Sequence, residues 1–575
     1  MKYPLYIAKN SVESALKNSL SQLNYDHELK IEIPLYELGD FSFPCFALAS
    51  IFKKSPNDIA LEITKQLQKD KWINKVEAKG GYVNFFINFE LLKKSTFKVL
   101  FENKDEYGIL EIKNKKVIVE HTSVNPNGPL HVGRARNPII GDSITRIFKA
   151  AGYEVESQFY LDDMGKQVAI LTWGVNNLKE NDIPKSIYEK LDHKTVGFYQ
   201  IASLLMKEKS KVSEEISKIV KLSEEGDKKT LDMVREAYTP VLEGIKESMK
   251  RINIEIDSYI PESNFVKNKN VDDVVDKLKK SEYSKVENGA FFIDLEPFGI
   301  KGRNTKFFFL RSDGTTLYAT RDIAYHIWKA KQADILINVL GEDHKLESKQ
   351  VEIALKLIKE EKTPRVIFYS FVSLPGGKMS TRQGRVVYLD DLIEECISQA
   401  YDEVKKRRKG ELSEKEMKKI AEIVGIAALR FNIIKVQPEK DIVFKWEEAL
   451  NFEGLSAPFI QYAHARSCGI LSKAKFDYKT FNSSFLTNDS EVKLIKTIAK
   501  FPLIIEEASE GFKPHIITTY LFELASYFNQ FYRDCPVIPE KNKDIKNARI
   551  GLVEATKTVL CNGLNLLGII APTEM

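Results

Sequence analysis

Apolar positions along the chain recur with two periods, one typical of strands and one of helices. β-Branched and apolar runs at residues 117–120, 155–160, 335–340 and 366–372 predict strands. Amphipathic segments with helical spacing lie between these runs, as at residues 135–151. Strands that alternate with helices predict an α/β domain built on a parallel sheet.

The first 112 residues have a different pattern and predict a small α+β unit. Ser55 followed by Pro56 is a typical helix start, because the serine caps the first turn and proline fits the first helical positions. A turn at Gly80 and Gly81 then leads into a predicted strand at residues 82–87.

Two further regions are rich in helical patterns. Residues 178–285 contain charged helices, such as 212–221 and 228–251, and indicate a helical insertion within the sheet domain. Beyond Ser413 the pattern is helical to the end, and three prolines predict breaks: Pro458, Pro502 and Pro536. We therefore predict three domains, at residues 1–112, 113–400 and 401–575.

Composition limits the class of protein. The 575 residues are 43% hydrophobic and 29% charged, which is typical of a globular protein. The net charge of +5 neither requires nor excludes nucleic acid. No uninterrupted apolar run reaches about eighteen residues, so no membrane span is expected. The five cysteines are scattered without a C-x-x-C pair, which argues against a zinc site and favours the reducing cytoplasm.

The segment from Glu120 to Arg134 is the hardest to explain by packing alone, because Gly and Pro surround two histidines between a predicted strand and a helix. Exposed N–H groups and the helix dipole at such a junction bind phosphate. Gly133 permits close approach of a planar ring or a ribose, and His131 could donate a hydrogen bond to an oxyanion. The alternative is a loop histidine that bonds to a neighbouring carbonyl.

A second segment, Ser373-Leu-Pro-Gly-Gly-Lys-Met-Ser-Thr-Arg382, leaves another predicted strand. Its Pro-Gly-Gly loop would let Lys378 reach a ligand at the edge of the sheet, where ligands of open α/β sheets bind. A lysine there would neutralise charge on a leaving pyrophosphate. The alternative is an ordinary charged surface loop. A further run of cations, at residues 405–409, fits either RNA contact or a solvated helix end.

Together these two segments resemble the HIGH and KMSKS signatures of class I aminoacyl-tRNA synthetases. The chain is similar to the arginyl-tRNA synthetases, particularly the archaeal type, over nearly its whole length. Runs at residues 313–322, 461–466 and 562–568 support the resemblance. Arg134 replaces the second histidine of HIGH, whereas Thr381 and Arg382 replace the last lysine and serine of KMSKS.

The resemblance implies a multidomain α/β fold, with a Rossmann-type parallel-sheet catalytic domain, a small N-terminal α+β domain that binds the tRNA elbow, and a C-terminal all-α anticodon-binding domain. It implies that L-arginine is activated with ATP and transferred to tRNA(Arg), with tRNA required for activation. Magnesium would arrive with ATP, held mainly by phosphates. No zinc and no protein metal ligands are expected, and a monomer is expected.

The resemblance also assigns roles to particular residues. Catalysis is expected from His131, Arg134 and Lys378. ATP contacts are expected from the same three residues and from Pro129, Gly133, Gly341, Asp343, His344, Val372, Met379 and Ser380. Arginine contacts are expected from Glu120, Asn125, Glu262, Tyr318, Asp322 and Gln350. Contacts with tRNA are expected from Tyr82, Asn84, Tyr462, Arg466 and Arg533.

Several alternatives stay open at this stage. Tyr318 and Asp322 could be a structural pair with Arg321, and Tyr82 and Tyr462 could be core residues of their own domains. The chain could also activate another amino acid, such as cysteine, or be a non-catalytic paralogue that binds tRNA or arginine. The absence of a cysteine–histidine cluster and the acidic residues of the expected pocket argue against the cysteine enzyme.

Overall fold

The fold is known from a computed structural model, which describes residues 3–21, 29–34, 38–302, 305–374, 377–378, 387–408 and 410–575. The N-terminal unit packs helices against a three-stranded antiparallel sheet of order β1-β3-β2. Its elements are α1 (Pro4–Ser21), β1 (Phe41–Pro44), α2 (Ala49–Phe52), α3 (Pro56–Gln66), β2 (Ile73–Lys79) and β3 (Tyr82–Ile87).

Local sequence explains the boundaries of this unit. The Ser55 side chain accepts a hydrogen bond from the Asp58 amide and caps α3, as predicted. Gly80 and Gly81 both have positive φ, at 61° and 79°, which suits the tight turn between β2 and β3. Helix α4 (Phe89–Asn103) then leads from this unit into the next.

A five-stranded parallel sheet of order β11-β10-β4-β5-β6 forms the centre of the molecule. Because β10 and β5 flank β4, their carboxyl ends bring Gly341, Glu120 and Leu161 to one edge of the sheet, where ligands bind in such folds. The strands are β4 (Lys116–Glu120), β5 (Glu154–Leu161), β6 (Ser258–Pro261), β10 (Ile335–Gly341) and β11 (Arg365–Tyr369).

One of the predicted strands corresponds to two separate strands in the structure. The run at residues 366–372 was expected to be continuous, but β11 ends at Tyr369 and the next strand, β12 (Val372–Leu374), belongs to another sheet. The chain leaves the parallel sheet at Ser370, whose amide donates a hydrogen bond to the Pro438 carbonyl over 2.9 Å. The guanidinium of Arg136 donates to the Ser370 carbonyl over 2.7 Å and holds the turn.

The predicted insertion at residues 178–285 is mainly helical and also contains one strand of the central sheet. The segment contains β6, an edge strand whose four half-buried residues are too few to show a period. The helices around the sheet are α5 (Arg136–Ala150), α6 (Gly165–Asn177), α7 (Leu191–Glu208), α8 (Ser210–Glu224), α9 (Lys228–Arg251), α10 (Ser263–Lys267) and α11 (Asn270–Lys279).

An antiparallel sheet of order β7-β8-β9, which the sequence did not predict, follows the insertion. It shares a hydrophobic core with the helices that come next. The elements are β7 (Ser284–Glu287), β8 (Ala290–Asp294), β9 (Lys306–Leu310), α12 (Tyr318–Ala330) and α13 (Lys345–Leu357).

The remainder of the described chain is helical, as predicted, apart from two short strands. Pro458 lies in the first turn of α17 and Pro536 follows α19, but Pro502 lies inside α18, where a break was expected. Pro502 is buried in the core, so packing outweighs the lost hydrogen bond. The elements are β13 (Gly377–Lys378), α14 (Leu389–Arg408), α15 (Glu414–Ile434), β14 (Ile442–Val443), α16 (Trp446–Ala449), α17 (Ala457–Lys473), α18 (Asp489–Glu510), α19 (His515–Asp534) and α20 (Lys543–Leu566).

The C-terminal helices and the parallel sheet share one hydrophobic core. Residues 400 and 401, where a boundary was expected, lie inside α14, and residues 405–408 form its last turn. A buried ion pair joins the two regions, with Arg430 Nη2 of α15 2.5 Å from Asp142 Oδ2 of α5. Arg430 also donates to the carbonyls of Leu567 and Ile252. No helix of the described chain is long and apolar enough to cross a bilayer.

Candidate active site

A cavity of about 440 Å³ opens at the carboxyl ends of β4, β5 and β10. Many of the side chains expected to contact ATP or arginine line it, although they come from distant parts of the sequence. They are Glu120, Asn125, Pro129, His131, Arg134, Tyr318, Asp322, Gly341 and His344.

The first signature loop presents His131 to this cavity in a defined orientation. The Gly133 amide donates a hydrogen bond to His131 Nδ1 over 3.1 Å. In the neutral ring Nδ1 is therefore an acceptor, and the proton lies on Nε2. A Cβ on Gly133 would stand 3.2 Å from His131 Nδ1, so glycine allows the approach of this ring, not only of a ligand.

The other histidine of the loop, His121, is a core residue. Its ring packs on Gly141, where a Cβ would lie 2.2 Å from His121 Cγ. Burial lowers the pKa of His121 to about 4, which keeps the ring neutral near pH 7. Thr122 Oγ1 lies 2.8 Å from Nδ1 of this ring. We infer a packing role for His121.

The second signature loop departs from the same edge of the sheet. β12 contacts the 3₁₀ turn Val132–Arg134, and the backbone of Lys378 pairs with Ser373 in an antiparallel hairpin. The segment after the loop returns beside the first motif, since the Val132 amide donates to the Val387 carbonyl over 3.1 Å. The two motifs are thus neighbours in the fold. Met379, Ser380, Thr381 and Arg382 lie outside the described residues.

At the other end of the cavity, Glu120 is held by a buried ion pair. Its Oε2 lies 2.6 Å from Lys329 Nζ, and its Oε1 accepts a hydrogen bond from Ser123 Oγ. Lys329 also donates to Asn338 Oδ1 over 3.0 Å. Glu120 therefore has a fixed position and a compensated charge, which the sequence could not show.

Asp322 and Tyr318 lie on the first turns of α12 and both line the cavity. Burial favours a protonated Asp322, but the charges of His326 and Lys329 outweigh it, so its pKa stays below the usual value. Burial raises the pKa of Tyr318 well above its usual value, so the phenol stays neutral. A cation between these groups would meet a carboxylate and an aromatic ring.

The sequence analysis missed Tyr160 and Asp162, which also line this end. Tyr160 is the penultimate residue of β5, and Asp162 directly follows the strand. Asn125 Nδ2 donates to Asp162 Oδ2. The signal that could have found Asp162 is its position at the carboxyl end of a strand next to β4.

Glu262 does not line the cavity. It is fully buried, and its Oε1 accepts from Arg321 Nε over 2.8 Å. The sequence left open that Tyr318 and Asp322 form a structural pair with Arg321. In the structure Arg321 pairs with Glu262 instead, and Asp322 lines the cavity. Gln350, Gly133, Asp343 and Val372 also lie outside the lining, although Gly133 and Val372 adjoin it through the first signature loop.

The nucleotide end contains His344 and Arg134. His344 Nδ1 lies 2.9 Å from Glu347 Oε2, and this hydrogen bond raises the pKa of His344. Arg134 and His344 therefore offer N–H donors for phosphate at this end, beside the Glu347 carboxylate.

Among the described residues, one group has the spacing of metal ligands: Asp192, His193 and Asp390. Lys190 Nζ lies 2.7 Å from Asp390 Oδ2 and 3.3 Å from Asp192 Oδ2. An ammonium already occupies the place that an ion would take, so we interpret this group as a buried charge network between α7 and α14.

A second cavity, of about 570 Å³, lies between α14, α17, α19 and the C-terminus. Tyr462 is 42% exposed on its wall, which excludes the alternative that it is a core residue. The Arg466 guanidinium lies over the rings of Tyr462 and Tyr532, at 4.6 and 5.0 Å from their centroids. It also donates to Asn529 Oδ1 over 2.6 Å. A flat cation between two exposed rings offers faces against which planar groups can stack.

The remaining residues expected to contact tRNA have different environments. Tyr82 makes an edge contact with the exposed ring of Phe46. Asn84 is 5% exposed, and its Oδ1 accepts from Ser42 Oγ over 2.7 Å. Arg533 is 74% exposed beside Asp534.

Comparison with known proteins agrees with this architecture. Residues 8–87 match the model of the arginyl tRNA synthetase N terminal domain, residues 96–446 that of the tRNA synthetases class I (R) catalytic domain, and residues 460–575 that of the DALR anticodon binding domain.

Individual relatives cover nearly the whole chain. The arginine–tRNA ligase of Methanocella arvoryzae is 47% identical over 92% of this chain and 92% of its own length. That of Methanococcus aeolicus is 43% identical over 97% of both chains. The solved arginyl-tRNA synthetase of Thermus thermophilus has a TM-score of 0.83 at 27% identity, over 98% of this chain and 100% of its own.

Proposed function

Since the chain belongs to the arginyl-tRNA synthetase family of class I, we propose that the cavity at the sheet edge holds arginine and ATP together. The reaction is arginine–tRNA ligation, in which arginine is activated with ATP and charged onto tRNA. The observation that carries the assignment of residues is the meeting of Glu120, His131, Tyr318 and Asp322 in one cavity.

The chemistry requires little from the protein beyond position and charge. The arginine carboxylate is already ionised, and it attacks the ATP α-phosphate while pyrophosphate leaves. His131 Nε2–H would donate to the phosphate oxygens as their charge grows, with Arg134 as a second donor. Lys378 would neutralise the leaving pyrophosphate. Pro129, Gly341, His344 and the adjoining Gly133, Asp343, Val372, Met379 and Ser380 complete the proposed ATP site.

Magnesium would enter with ATP. In the described part of the chain, the nucleotide end holds no group of side chains with metal-ligand spacing, so the ion would be held by phosphate oxygens and water. It would supply charge neutralisation at the phosphates.

The arginine substrate would lie between the carboxyl ends of β4 and α12. Asp322 would pair with the guanidinium beside the Tyr318 ring, while Glu120 and Asn125 would face the ammonium and carboxylate end. We keep Glu262 and Gln350 only as outer residues of this site, because neither lines the cavity.

For tRNA we propose two contact regions. The cavity of Tyr462 and Arg466 would take loop bases, with Arg533 on a phosphate. The N-terminal unit would place the half-buried Tyr82, beside the exposed ring of Phe46, against a splayed base of the tRNA elbow. Asn84 would act only indirectly in this contact, because its side chain is buried and accepts a hydrogen bond from Ser42. We propose a division into N-terminal, catalytic and anticodon-binding regions at residues 1–112, 113–400 and 401–575.

The test of this proposal is charging with ATP and tRNA(Arg) across all amino acids. We expect arginine alone to be charged, and ATP–pyrophosphate exchange to require tRNA. Exchange that is equally fast without tRNA would contradict the tRNA dependence, and charging of another amino acid would contradict the pocket assignment.

We further propose that the protein acts as a cytoplasmic monomer. All five cysteines are free thiols, which suits a reducing compartment. One chain lines the whole cavity, so no second subunit is needed to complete it. Light scattering of the purified protein would measure its mass in solution.

A further inference from the structure

A layer of buried polar side chains lies between α12 and the central strands at the arginine end of the cavity. Asn338 and Glu120 stand opposite each other on β10 and β4. His326 and Lys329 of α12 contact this pair, and none of the four residues is more than 4% exposed. Neither His326 nor Lys329 lines the cavity, so both would act on a substrate only through other residues.

Hydrogen bonds and an ion pair join this layer into one polar chain that runs from Glu120 to Asp322. Lys329 Nζ lies 2.6 Å from Glu120 Oε2 and donates to Asn338 Oδ1 over 3.0 Å. Asn338 Nδ2 lies 2.9 Å from His326 Nε2, and His326 Nδ1 lies 3.1 Å from Asp322 Oδ1. The two acids at the ends of this polar chain both line the cavity.

Tyr325 attaches α12 to a third strand of the sheet. Its hydroxyl donates to Gln158 Oε1 over 3.0 Å, and Gln158 stands opposite Glu120 on β5. The Tyr325 ring stacks on that of Tyr160, with centroids 4.3 Å apart, and Lys329 Nζ lies 4.1 Å from the Tyr325 centroid. Because α12 is bonded to three neighbouring strands at one level, its position relative to the sheet is fixed.

The polar chain is not needed for stability alone. A buried ion pair such as that of Lys329 and Glu120 is often no more stabilising than apolar residues of the same volume. A fully bonded polar network does add a single well-defined arrangement, since each group finds its partners in one geometry. The arrangement defined here is the separation of Glu120 and Asp322, which lie on different elements and at different ends of the proposed arginine site.

We propose that this polar chain, with His326 as its positioning residue, fixes the separation of Glu120 and Asp322 and so selects a substrate with the length of arginine. The inference rests on the proposed arginine pocket. With the ammonium near Glu120 and the guanidinium near Asp322, the substrate side chain must span a constant distance. A homologue with one methylene more or less would misplace one of its two cations, which lowers kcat/KM about 10–200-fold.

The first test uses the parent protein with tRNA(Arg), ATP and three amino acids. These are arginine, homoarginine with one methylene more, and norarginine with one methylene fewer. The rate of ATP–pyrophosphate exchange gives kcat/KM for each, and we expect both homologues to be at least about tenfold poorer than arginine. Equal values for arginine and either homologue would overturn the inference. The absence of exchange with arginine would instead refute the proposed function.

His326→Phe keeps a ring but removes both nitrogens that link Asn338 to Asp322. The preference for arginine over homoarginine should fall about fivefold or more, because α12 can then yield to the longer substrate, while the KM for ATP stays near the parent value. His326→Asn, which retains a donor beside Asp322, should lose less of this preference and replaces His326→Phe if that variant does not fold. Equal losses of kcat/KM for both amino acids would indicate a purely structural role and overturn the inference.

Thr320→Val is the matched control. Thr320 is also buried on α12, and its hydroxyl donates to the Phe309 carbonyl over 2.8 Å, but it belongs neither to the polar chain nor to the cavity lining. This variant should lower the thermal midpoint and leave the preference for arginine unchanged. If it reduces the preference as much as His326→Phe does, any loosening of α12 has the same effect, and the role assigned to His326 is wrong.

Discussion

The Gly133 amide donates to Nδ1 of His131 over 3.1 Å, and this contact determines which ring nitrogen carries the proton. The Nε2–H group can then face a phosphate oxygen without any change of tautomer. The first residue of the signature is therefore oriented by its third, within one short turn.

Replacement of His131 tests this orientation. A glutamine amide reaches the place of Nε2, whereas an asparagine amide reaches only that of Nδ1. His131→Gln should retain more activity than His131→Asn, which should lose about 10²–10³-fold in the rate of ATP–pyrophosphate exchange with tRNA present. Equal losses in the two variants would show that the Nε2 donor is not used.

Gly133→Ala tests the space for the ring. The new Cβ would stand 3.2 Å from His131 Nδ1, so the imidazole must shift by a few tenths of an ångström. We expect the exchange rate to fall about tenfold or more, because small misplacements of catalytic groups are costly. The thermal midpoint should barely change. Gly469→Ala is the control, because nothing lies within 4 Å of its Cβ position, and its activity should match the parent.

Sequence patterns predicted four of the five strands of the central sheet, because each of these four carries a run long enough to show its apolar character. The rule for ligand sites of parallel sheets then predicted that both signature segments lie at the carboxyl edge of the sheet, and Glu120 and His131 of the first segment line the cavity there. The patterns missed features that are too short to show a period and contacts between residues far apart in the sequence. β6 has four residues, and Lys329, which neutralises Glu120, is 209 positions away along the chain.

The remaining differences between prediction and structure depend on which side chains are buried, and burial cannot be read from single positions in a sequence. Glu262 was expected in the pocket but is enclosed with Arg321, while Asp162 was overlooked and lines the cavity. Pro502 was expected to break a helix but lies within α18, because core packing supplies the free energy that local propensity lacks.

The pair of Arg430 and Asp142 should be important for stability. Both side chains are buried between the catalytic sheet and the C-terminal helices. Asp142→Asn leaves a buried guanidinium without a counter-charge, which costs about 3–5 kcal/mol. We expect a thermal midpoint several degrees lower. Glu225→Gln, which breaks the exposed 3.9 Å pair with Lys221, should leave it unchanged. Similar midpoints for the two variants would refute a structural role for the buried pair.

Asp390 should make stability depend on pH. Burial opposes its charge, but hydrogen bonds from His193 and Lys190 outweigh this and lower its pKa to about 2. A lowered pKa stabilises the fold above the unfolded value of about 3.9, and the benefit disappears as pH falls toward 2. Asp390→Asn should therefore lose roughly 2 kcal/mol at pH 7. The thermal midpoint of Asp390→Asn should lie below that of the parent by a constant difference from pH 8 to 5, and this difference should disappear below pH 4. A difference between the two midpoints that grows as the pH falls would contradict the lowered pKa of Asp390.

The exposed ring of Tyr462 offers the sharpest test of the second cavity. If loop bases of tRNA stack on Tyr462 beside the Arg466 guanidinium, Tyr462→Ala removes that surface and costs about 1–3 kcal/mol of binding. The KM for tRNA in charging should rise about fivefold to a hundredfold, whereas the KM for ATP and the rate at saturating tRNA should stay near the parent values. Tyr478→Ala is the control, because this tyrosine is 49% exposed but lies outside the cavity. If both variants raise the KM for tRNA equally, the cavity is not the base-binding surface.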